Sequence, residues 1–195
     1  MAGVSAAQVY APSPDQSTTT GAVAIAPVGT TAPTNARTAL PNTWVSGGYV
    51  SEDGLSMSTS RSVEAVRDWS KANVRNLLSE FTGELSFAFL QIDEFAAKRA
   101  FGSTNVTTTA ATTTAGNQLS VAIGANLPPV EAWVFSMKDE GRRVRVYVPR
   151  GQITELEDVS FKPDEAQTIG VTLSCYDDGT GNSIYVMWDD GQMTA

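Results

Sequence analysis

The stretch that decides the fold is TGELSFAFLQ, residues 82–91, in which apolar and polar side chains alternate. Leu85, Phe87 and Phe89 would share one face of a strand, and a period of two predicts a half-buried β-strand. The stretch that follows is DEFAAKRAFG, residues 93–102, which opens on acids, closes on bases and ends at a glycine. This order suits the helix dipole and a glycine C-cap, so it predicts one short helix.

Alternation elsewhere predicts eight further strands, so the chain is expected to be mainly β. They are predicted at residues 44–50, 55–61, 74–81, 119–123, 130–137, 142–149, 169–175 and 184–188. The last four strands are expected to form two successive hairpins. Val63, Val66 and Trp69 recur every three residues behind Ser62, and this spacing predicts one or two helical turns.

Residues 1–43 are predicted to form an extended N-terminal arm ahead of one β-domain at residues 44–195. The arm holds five of the nine prolines and only two charges, and proline removes backbone donors. A floppy linker has no need of the apolar run at 22–28, so we expect the arm to become ordered on a neighbouring subunit. A disordered terminus is the alternative. Residues 103–118, with seven threonines and no charge, are predicted to be a long low-complexity loop.

The composition argues against catalysis. The chain has no histidine and a single cysteine, Cys175, which removes the usual serine-hydrolase base and the common zinc ligand sets. Three carboxylate pairs could in principle act as a glycosidase pair, but each lies in a turn or at a helix start, where acids serve local hydrogen bonding. The pairs are Glu52 with Asp53, Asp93 with Glu94, and Asp177 with Asp178. A calcium site at 177–182 is a further alternative to a plain turn, without the EF-hand pattern. We expect no cofactor and no metal.

The net charge of −8 falls entirely on residues 151–195, which hold nine acids and one base. This excess argues against a nucleic-acid-binding surface and is compatible with a surface to which nucleic acid must not bind. One basic cluster comprises Arg142, Arg143, Arg145 and Arg150. We expect it to pair with an acidic neighbouring subunit, a solvated strand face being the alternative. The short apolar runs and the absence of a basic, apolar leader predict neither a membrane span nor a secretory signal.

Several stretches, taken in their order and spacing, resemble one family. They are WVSGGYVSEDGL at 44–55, VRDW at 66–69, VR at 74–75, ELSF at 84–87 and FG at 101–102, preceded by AIAPVGTTAPT at 24–34. The chain resembles the tail tube (major tail) proteins of long-tailed bacteriophages, most of all those that infect actinobacteria. The likeness extends over roughly residues 20–190.

The resemblance implies a β-sandwich or barrel-like subunit that is structural and not an enzyme. In such relatives hexameric rings stack into a non-contractile tube around a tape-measure protein, and DNA later passes through the lumen. The resemblance also implies assembly in the host cytoplasm, a final location in the virion tail, and tail terminator and distal tail proteins at the tube ends.

Two groups of residues are expected to make contacts between copies of the chain. Contacts between rings are expected from Val23, Ile25, Val28, Ser51, Glu52, Asp53, Gly54 and Leu55. Contacts within a ring are expected from Arg143, Arg145 and Tyr147. The alternatives to a tube subunit are another virion structural protein, either capsid-decorating or a tail terminator, and a carbohydrate-binding β-sandwich or two-carboxylate glycosidase.

Overall fold

The computed structural model of the chain describes residues 9–18 and 20–193. Across these residues the chain forms eleven strands, one α-helix and one short 3-10 helix at Ser103–Asn105. The strands are β1 Ser13–Pro14, β2 Val23–Pro27, β3 Val45–Ser46, β4 Ser56–Arg67, β5 Asn73–Phe89, β6 Val106–Thr109, β7 Gln118–Val121, β8 Glu131–Asp139, β9 Arg142–Leu156, β10 Ile169–Cys175 and β11 Tyr185–Asp189. The helix α1 is Glu94–Phe101. The predicted mainly β fold with one short helix is confirmed.

Nine of the strands form one antiparallel sheet in the order β3-β2-β8-β9-β10-β5-β4, with β1 added to β8 and β11 added to β9. The strands β6 and β7 pair only with each other in a small second sheet. The large sheet is strongly curved. Two strands separate β5 from β8, yet the rings of Phe87 and Phe135 meet edge to face with centroids 5.1 Å apart.

The main core lies on the concave side of this curved sheet. It contains Leu85, Phe87 and Phe89 of β5, as the alternation in 82–91 predicts. Helix α1 contributes Ala96 and Ala100 to the same cluster. A second, smaller core lies on the other face of β8, where Ala132 and Val134 pack against Trp44 and Tyr147. Strand β8 is therefore buried on both faces, which agrees with its largely apolar sequence.

The predicted helix forms, and its local signals explain its limits. The Asp93 carboxylate accepts a hydrogen bond from the backbone N–H of Ala96, which satisfies one of the free donors at the helix start. Glu94 and Lys98 form an i,i+4 ion pair at 2.5 Å. The helix ends at Gly102, whose φ of 90° lies in the region that favours glycine.

The predicted helical turns at 63–69 are wrong, because this segment belongs to β4 and to the turn that follows it. Val63 pairs with Leu78 and Val66 with Arg75 in a long antiparallel ladder. Both valines are exposed, because neither face of this part of the hairpin packs on the core of its own chain. Because neither face of this part of β4 is buried, its apolar and polar side chains need not alternate. The three-residue spacing of Val63, Val66 and Trp69 is therefore not a sign of a helix.

Three further expectations differ from the structure. Strands β10 and β11 do not pair with each other as a hairpin, because both pair in succession along the 15 residues of β9. The predicted loop at 103–118 contains strand β6. Residues 23–27 of the predicted arm form β2, which is paired on both sides within the sheet, to β8 and to β3. The expectation that the arm is ordered by a neighbour fails for β2, since its own chain supplies both partners.

Candidate assembly surfaces

A long hairpin projects from the sheet and has no partner within the described chain. Strands β4 and β5 stay paired from Ser56 with Ser86 to Arg67 with Asn73. The pairing of β5 with β10, in contrast, stops at Gly83. Every residue from 60 to 82, called the projecting hairpin below, is exposed. Its large apolar residues are Val63, Val66, Trp69, Val74, Leu77, Leu78 and Phe81. A two-stranded ribbon with apolar side chains on open display is expected to need a further surface to cover it.

The hairpin leaves the sheet where β10 ends. After Cys175 the chain makes an excursion through 176–184 before it rejoins β9 as β11. Ile184 at the end of this excursion fills the space beside Gly83, where an added Cβ would lie 3.0 Å from the Ile184 Cδ1. Beyond that point a cleft of about 700 Å³ separates the hairpin from β11. Phe81 faces this cleft, with the Arg61 guanidinium 5.3 Å from its ring centroid.

Six strands leave a backbone edge unpaired within residues 9–18 and 20–193. Three of them are the short strand β1 and the two strands of the small second sheet, β6 and β7. The other three are β4, β11 and β3. Strand β4 pairs only with β5, β11 only with β9, and β3 only with β2. Of these, β4 is the longest, with 12 residues. Unpaired strand edges display backbone donors and acceptors in a row and favour pairing with another chain.

The turn at Ser51–Leu55 lies at the base of β4 and borders an apolar groove. Ser51 is buried, and its backbone N–H donates to the Ala88 carbonyl at 2.9 Å. Gly54, with φ at 74°, closes the turn by donating to the Ser51 carbonyl. Glu52 and Asp53 stay exposed at the rim. The groove has a volume of about 640 Å³ and is lined by Pro12, Ser13, Pro14, Ala22, Val23, Val50, Ser51, Glu52, Asp53, Gly54, Leu55, Leu90, Phe135, Ser136 and Met137.

Two of the arm residues expected at ring-to-ring contacts lie in the core of their own chain. Val23 and Ile25 are each 1% exposed and belong to the main core cluster. Val28, just after β2, is 45% exposed. The burial of the first two follows from the pairing of β2 with β8, which brings them against the concave side of the sheet.

The three residues expected at contacts within a ring hold the N-terminal segment against β9. The Arg145 guanidinium is buried and donates to the carbonyls of Asn35 and Thr38 at 2.8 and 2.9 Å. Burial lowers the pKa of Arg145, against the opposing effect of the Asp15 charge. Tyr147 is also buried, packed against Trp44, and burial raises its pKa. The outward contacts expected of Arg145 and Tyr147 therefore have no exposed surface here, because both side chains face their own chain.

Asp15 is the centre of this arrangement, and nothing in the local sequence indicates it. Its carboxylate is 3% exposed and lies 3.5 Å from the Arg143 Nε and 3.8 Å from the Lys138 Nζ. Burial alone would raise the pKa of Asp15. Hydrogen bonds from Ser17 and the charges of Arg143 and Lys138 outweigh burial and lower it. The partners come from β8 and β9, so only the three-dimensional fold brings these charges together.

The sequence from residue 15 to residue 195 matches the family described as phage tail tube protein. The chain belongs to the phage tail tube protein family. No curated protein was found to be similar to it by sequence. Membership makes the chain a structural component of a phage tail that assembles with itself into a tube, and not an enzyme. The closer resemblance to tail proteins of actinobacterial phages stays a prediction.

The side chains of this tail tube subunit agree with a structural role. Burial raises the pKa of the Cys175 thiol to about 12, with the Glu84 charge acting in the same direction, so the thiolate is scarce at neutral pH. Hydrogen bonds from Tyr185 and Thr180 lower the pKa of Asp178 to about 2. The carboxylate is therefore ionised at neutral pH and has no proton to donate as a general acid. No cluster of three or more potential metal-ligating side chains occurs among the residues described. No helix in that same part of the chain has the length and apolar character to cross a membrane.

Proposed function

We propose that the tail tube subunit assembles into hexameric rings, that the rings stack into a non-contractile tube, and that the lumen conducts DNA during infection. The observation that carries this proposal is the projecting hairpin, residues 60–82. It displays seven large apolar side chains and has no covering surface among the described parts of its own chain. A copy of the same chain is the natural partner for a surface that every subunit carries.

Closure of a ring accounts for the unpaired edges as well as the hairpin. Closed cyclic association lets the free edge of a strand in one copy face a free edge in the next, so that no edge stays open within the ring. The cleft of about 700 Å³ beside β11 gives an incoming strand a mixed lining, with Leu78 and Phe81 on the hairpin and Ile184 and Val186 on the body of the sheet as its apolar contacts. Main-chain pairing of this kind supplies affinity, and the side chains on either wall supply selectivity.

The acidity of the chain supports passage of DNA without binding. The net charge is −8, and a negative wall repels phosphates, whereas a DNA-binding surface concentrates lysine and arginine. Inside the tube we place a tape-measure protein during assembly, with tail terminator and distal tail proteins at the two ends. Assembly is proposed to take place in the host cytoplasm.

Negative-stain electron microscopy of the purified full-length chain at rising concentration tests the proposal. We expect tubes or six-membered rings, and sedimentation velocity should show a cooperative transition from subunit to large assembly. A capsid-decorating protein would instead stay monomeric or trimeric without a shell. A stable monomer at high concentration, or binding to a glycan array without assembly, would contradict the proposal.

A further inference from the structure

We propose that the tip of the projecting hairpin, with Trp69 at its centre, docks into the apolar groove beside the Ser51–Leu55 turn of a second copy of the chain. This inference rests on the proposed function. It identifies the two surfaces that meet when rings stack, namely the hairpin tip and the groove. Four observations on the tip and the groove carry it.

The tip presents its tryptophan on an ordered turn. Trp69 has a relative exposure of 102%, so no part of the described chain shields the indole. The Asp68 carboxylate accepts hydrogen bonds from the Ser70 hydroxyl at 2.6 Å and from the Ala72 N–H at 2.9 Å. A backbone bond from Lys71 to the Asp68 carbonyl closes the same turn. A tryptophan held out by a preorganised turn has the character of an interface anchor, because little side-chain and loop entropy is lost on docking.

The tip and the rest of the chain carry opposite charges. The tip, residues 66–75 from the Val66–Arg75 pair to the turn, contains three basic and one acidic side chain, a net charge of +2, so the remainder of a chain whose total is −8 carries −10. The rim of the groove bears Glu52 and Asp53, both exposed and without a basic partner in the described contacts. The basic residues nearest the tip are Arg67 and Lys71. Opposite charges around an apolar centre fix the register of an interface and speed association.

The groove has the lining and the size for an aromatic side chain. Its accessible apolar walls include Leu55 and Met137, with the buried Val23 and Phe135 behind them, and its volume of about 640 Å³ lies within the range of ordinary binding pockets. Leu90 in the wall is 40% exposed, so apolar surface there still faces water. Polar groups are confined to the Ser51 turn and to Ser13 and Ser136.

The positions of the two halves require a second copy. The groove borders the base of β4, and the tip follows the other end of that strand. Strand β4 has 12 residues, which span about 36 Å at roughly 3.3 Å per residue. A paired strand does not bend back over that distance onto its own base, so the tip of one copy must meet the groove of another. Head-to-tail contacts of this type repeat without closing when the rotation between copies does not close a ring.

Disulfide trapping tests the contact directly. Full-length Ala72→Cys is mixed with full-length Glu52→Cys under mild oxidation, with the native Cys175 buried in both. We expect a cross-linked dimer in the mixture that neither variant gives alone. The matched control replaces Glu52→Cys by Asp164→Cys, an exposed acid that does not line the groove, and should give no cross-link. Equal cross-linking in both mixtures would overturn the inference.

Removal of the Trp69 side chain and exchange of the charges at positions 71 and 52 test how much the contact contributes to assembly. Trp69→Ala should raise the critical concentration for tube formation about tenfold or more, as for loss of a buried aromatic anchor, with the thermal midpoint of the free subunit unchanged. Lys71→Glu and Glu52→Lys should each impair assembly, and the two together should restore it. Failure of the double variant to recover contradicts the pairing.

The outcomes separate this inference from the proposed function. Wild-type tubes that also form from Trp69→Ala at the same concentration would overturn the tip-to-groove contact and leave the tube function intact. A wild-type chain that forms no tube at any concentration would overturn the proposed function. In that case the specific cross-link between positions 72 and 52 alone decides whether two copies dock in this way.

Discussion

The indole of Trp133 on β8 occupies the space that a side chain at Gly151 of β9 would need. A Cβ added at Gly151 would lie 2.9 Å from the Trp133 Cδ1 and 3.1 Å from two methyl carbons of Leu173. The pairing of β8 with β9 shifts register between Glu131 and Trp133 at the same level. Three strands thus meet around a position where only hydrogen fits.

Replacement of Gly151 by alanine should overpack this junction. We expect Gly151→Ala to lower the free energy of unfolding by about 1–3 kcal/mol, the usual effect of an extra methyl group in a well-packed core, measured by urea denaturation of the free subunit. Gly124→Ala is the control, because nothing lies within 4 Å of a Cβ there. Similar midpoints for the two variants would contradict the packing described.

The Asp15 carboxylate should make stability depend on pH at the acid end. Its folded-state pKa lies below the ordinary value of 3.8, so its ionised form stabilises the fold above that value, and the stabilisation is lost as the pH falls through the folded-state pKa. Asp15→Asn should therefore lower the free energy of unfolding by about 1.5–3 kcal/mol at pH 7, as for a buried charge-assisted hydrogen bond.

Urea denaturation of wild type and Asp15→Asn at several pH values gives the measurement. The difference between the two proteins should be constant above about pH 5 and should shrink below the ordinary carboxylate value of 3.8. A difference of equal size at pH 3 and pH 7 would show that the carboxylate charge is not the cause.

A substitution at Ile25 tests whether β2 is part of the subunit fold or an arm that becomes ordered only on a neighbouring subunit. It is 1% exposed in the main core, so Ile25→Ala should destabilise the free subunit by about 2–5 kcal/mol. Val28→Ala, at a position that is 45% exposed, should change stability by about 0.5 kcal/mol or less. Chemical denaturation of the unassembled protein checks both. An Ile25→Ala subunit as stable as wild type would restore the arm hypothesis.

Leu78 should matter for assembly and not for folding. It is 61% exposed on the projecting hairpin, so Leu78→Thr should shift the free energy of unfolding by about 0.5 kcal/mol or less while tube yield falls. Leu85→Ala is the contrasting variant, because Leu85 is 0% exposed in the same strand and its truncation should cost about 2–5 kcal/mol. Denaturation midpoints and electron-microscopic tube counts on both variants give the comparison. Loss of folding stability in Leu78→Thr would place this residue in a core.

The sequence predicts those elements whose signals are local. Helix α1 is one, because its cap at Asp93, its dipole-matched charges and Gly102 lie within ten residues of one another. The strand at 82–91 is another, because one of its faces is buried and the other is open. In both cases the residues that specify the structure are neighbours along the chain.

The projecting hairpin could not be derived in the same way. Alternation marks a strand only where one face meets a core, and residues 60–67 meet none in their own chain. Likewise, alternation identifies β10 and β11 as strands but does not say that both pair with β9. Strand β2 has only five residues. The prolines in and around it argue against a regular strand, so the sequence does not predict its place in the sheet.

The contacts of Asp15 and Arg145 were beyond sequence reasoning for a different reason. Each depends on partners more than a hundred residues away along the chain. Charges on an alternating strand look solvated unless the segment that covers them is known. Burial of Arg145 under residues 35–38 becomes visible only when the fold has placed that segment across β9.

The location of tip and groove at opposite ends of β4 would give a direction to any filament built through the proposed contact. One terminus would display the uncovered Trp69 side chains, and the other would display the unoccupied apolar grooves. Neither terminus contains a signal to stop, since each added subunit recreates the site that it fills. Under the proposed contact the two termini would need chemically different caps, one that offers a pocket and one that offers an anchor, and the contact itself would set no limit on the number of layers.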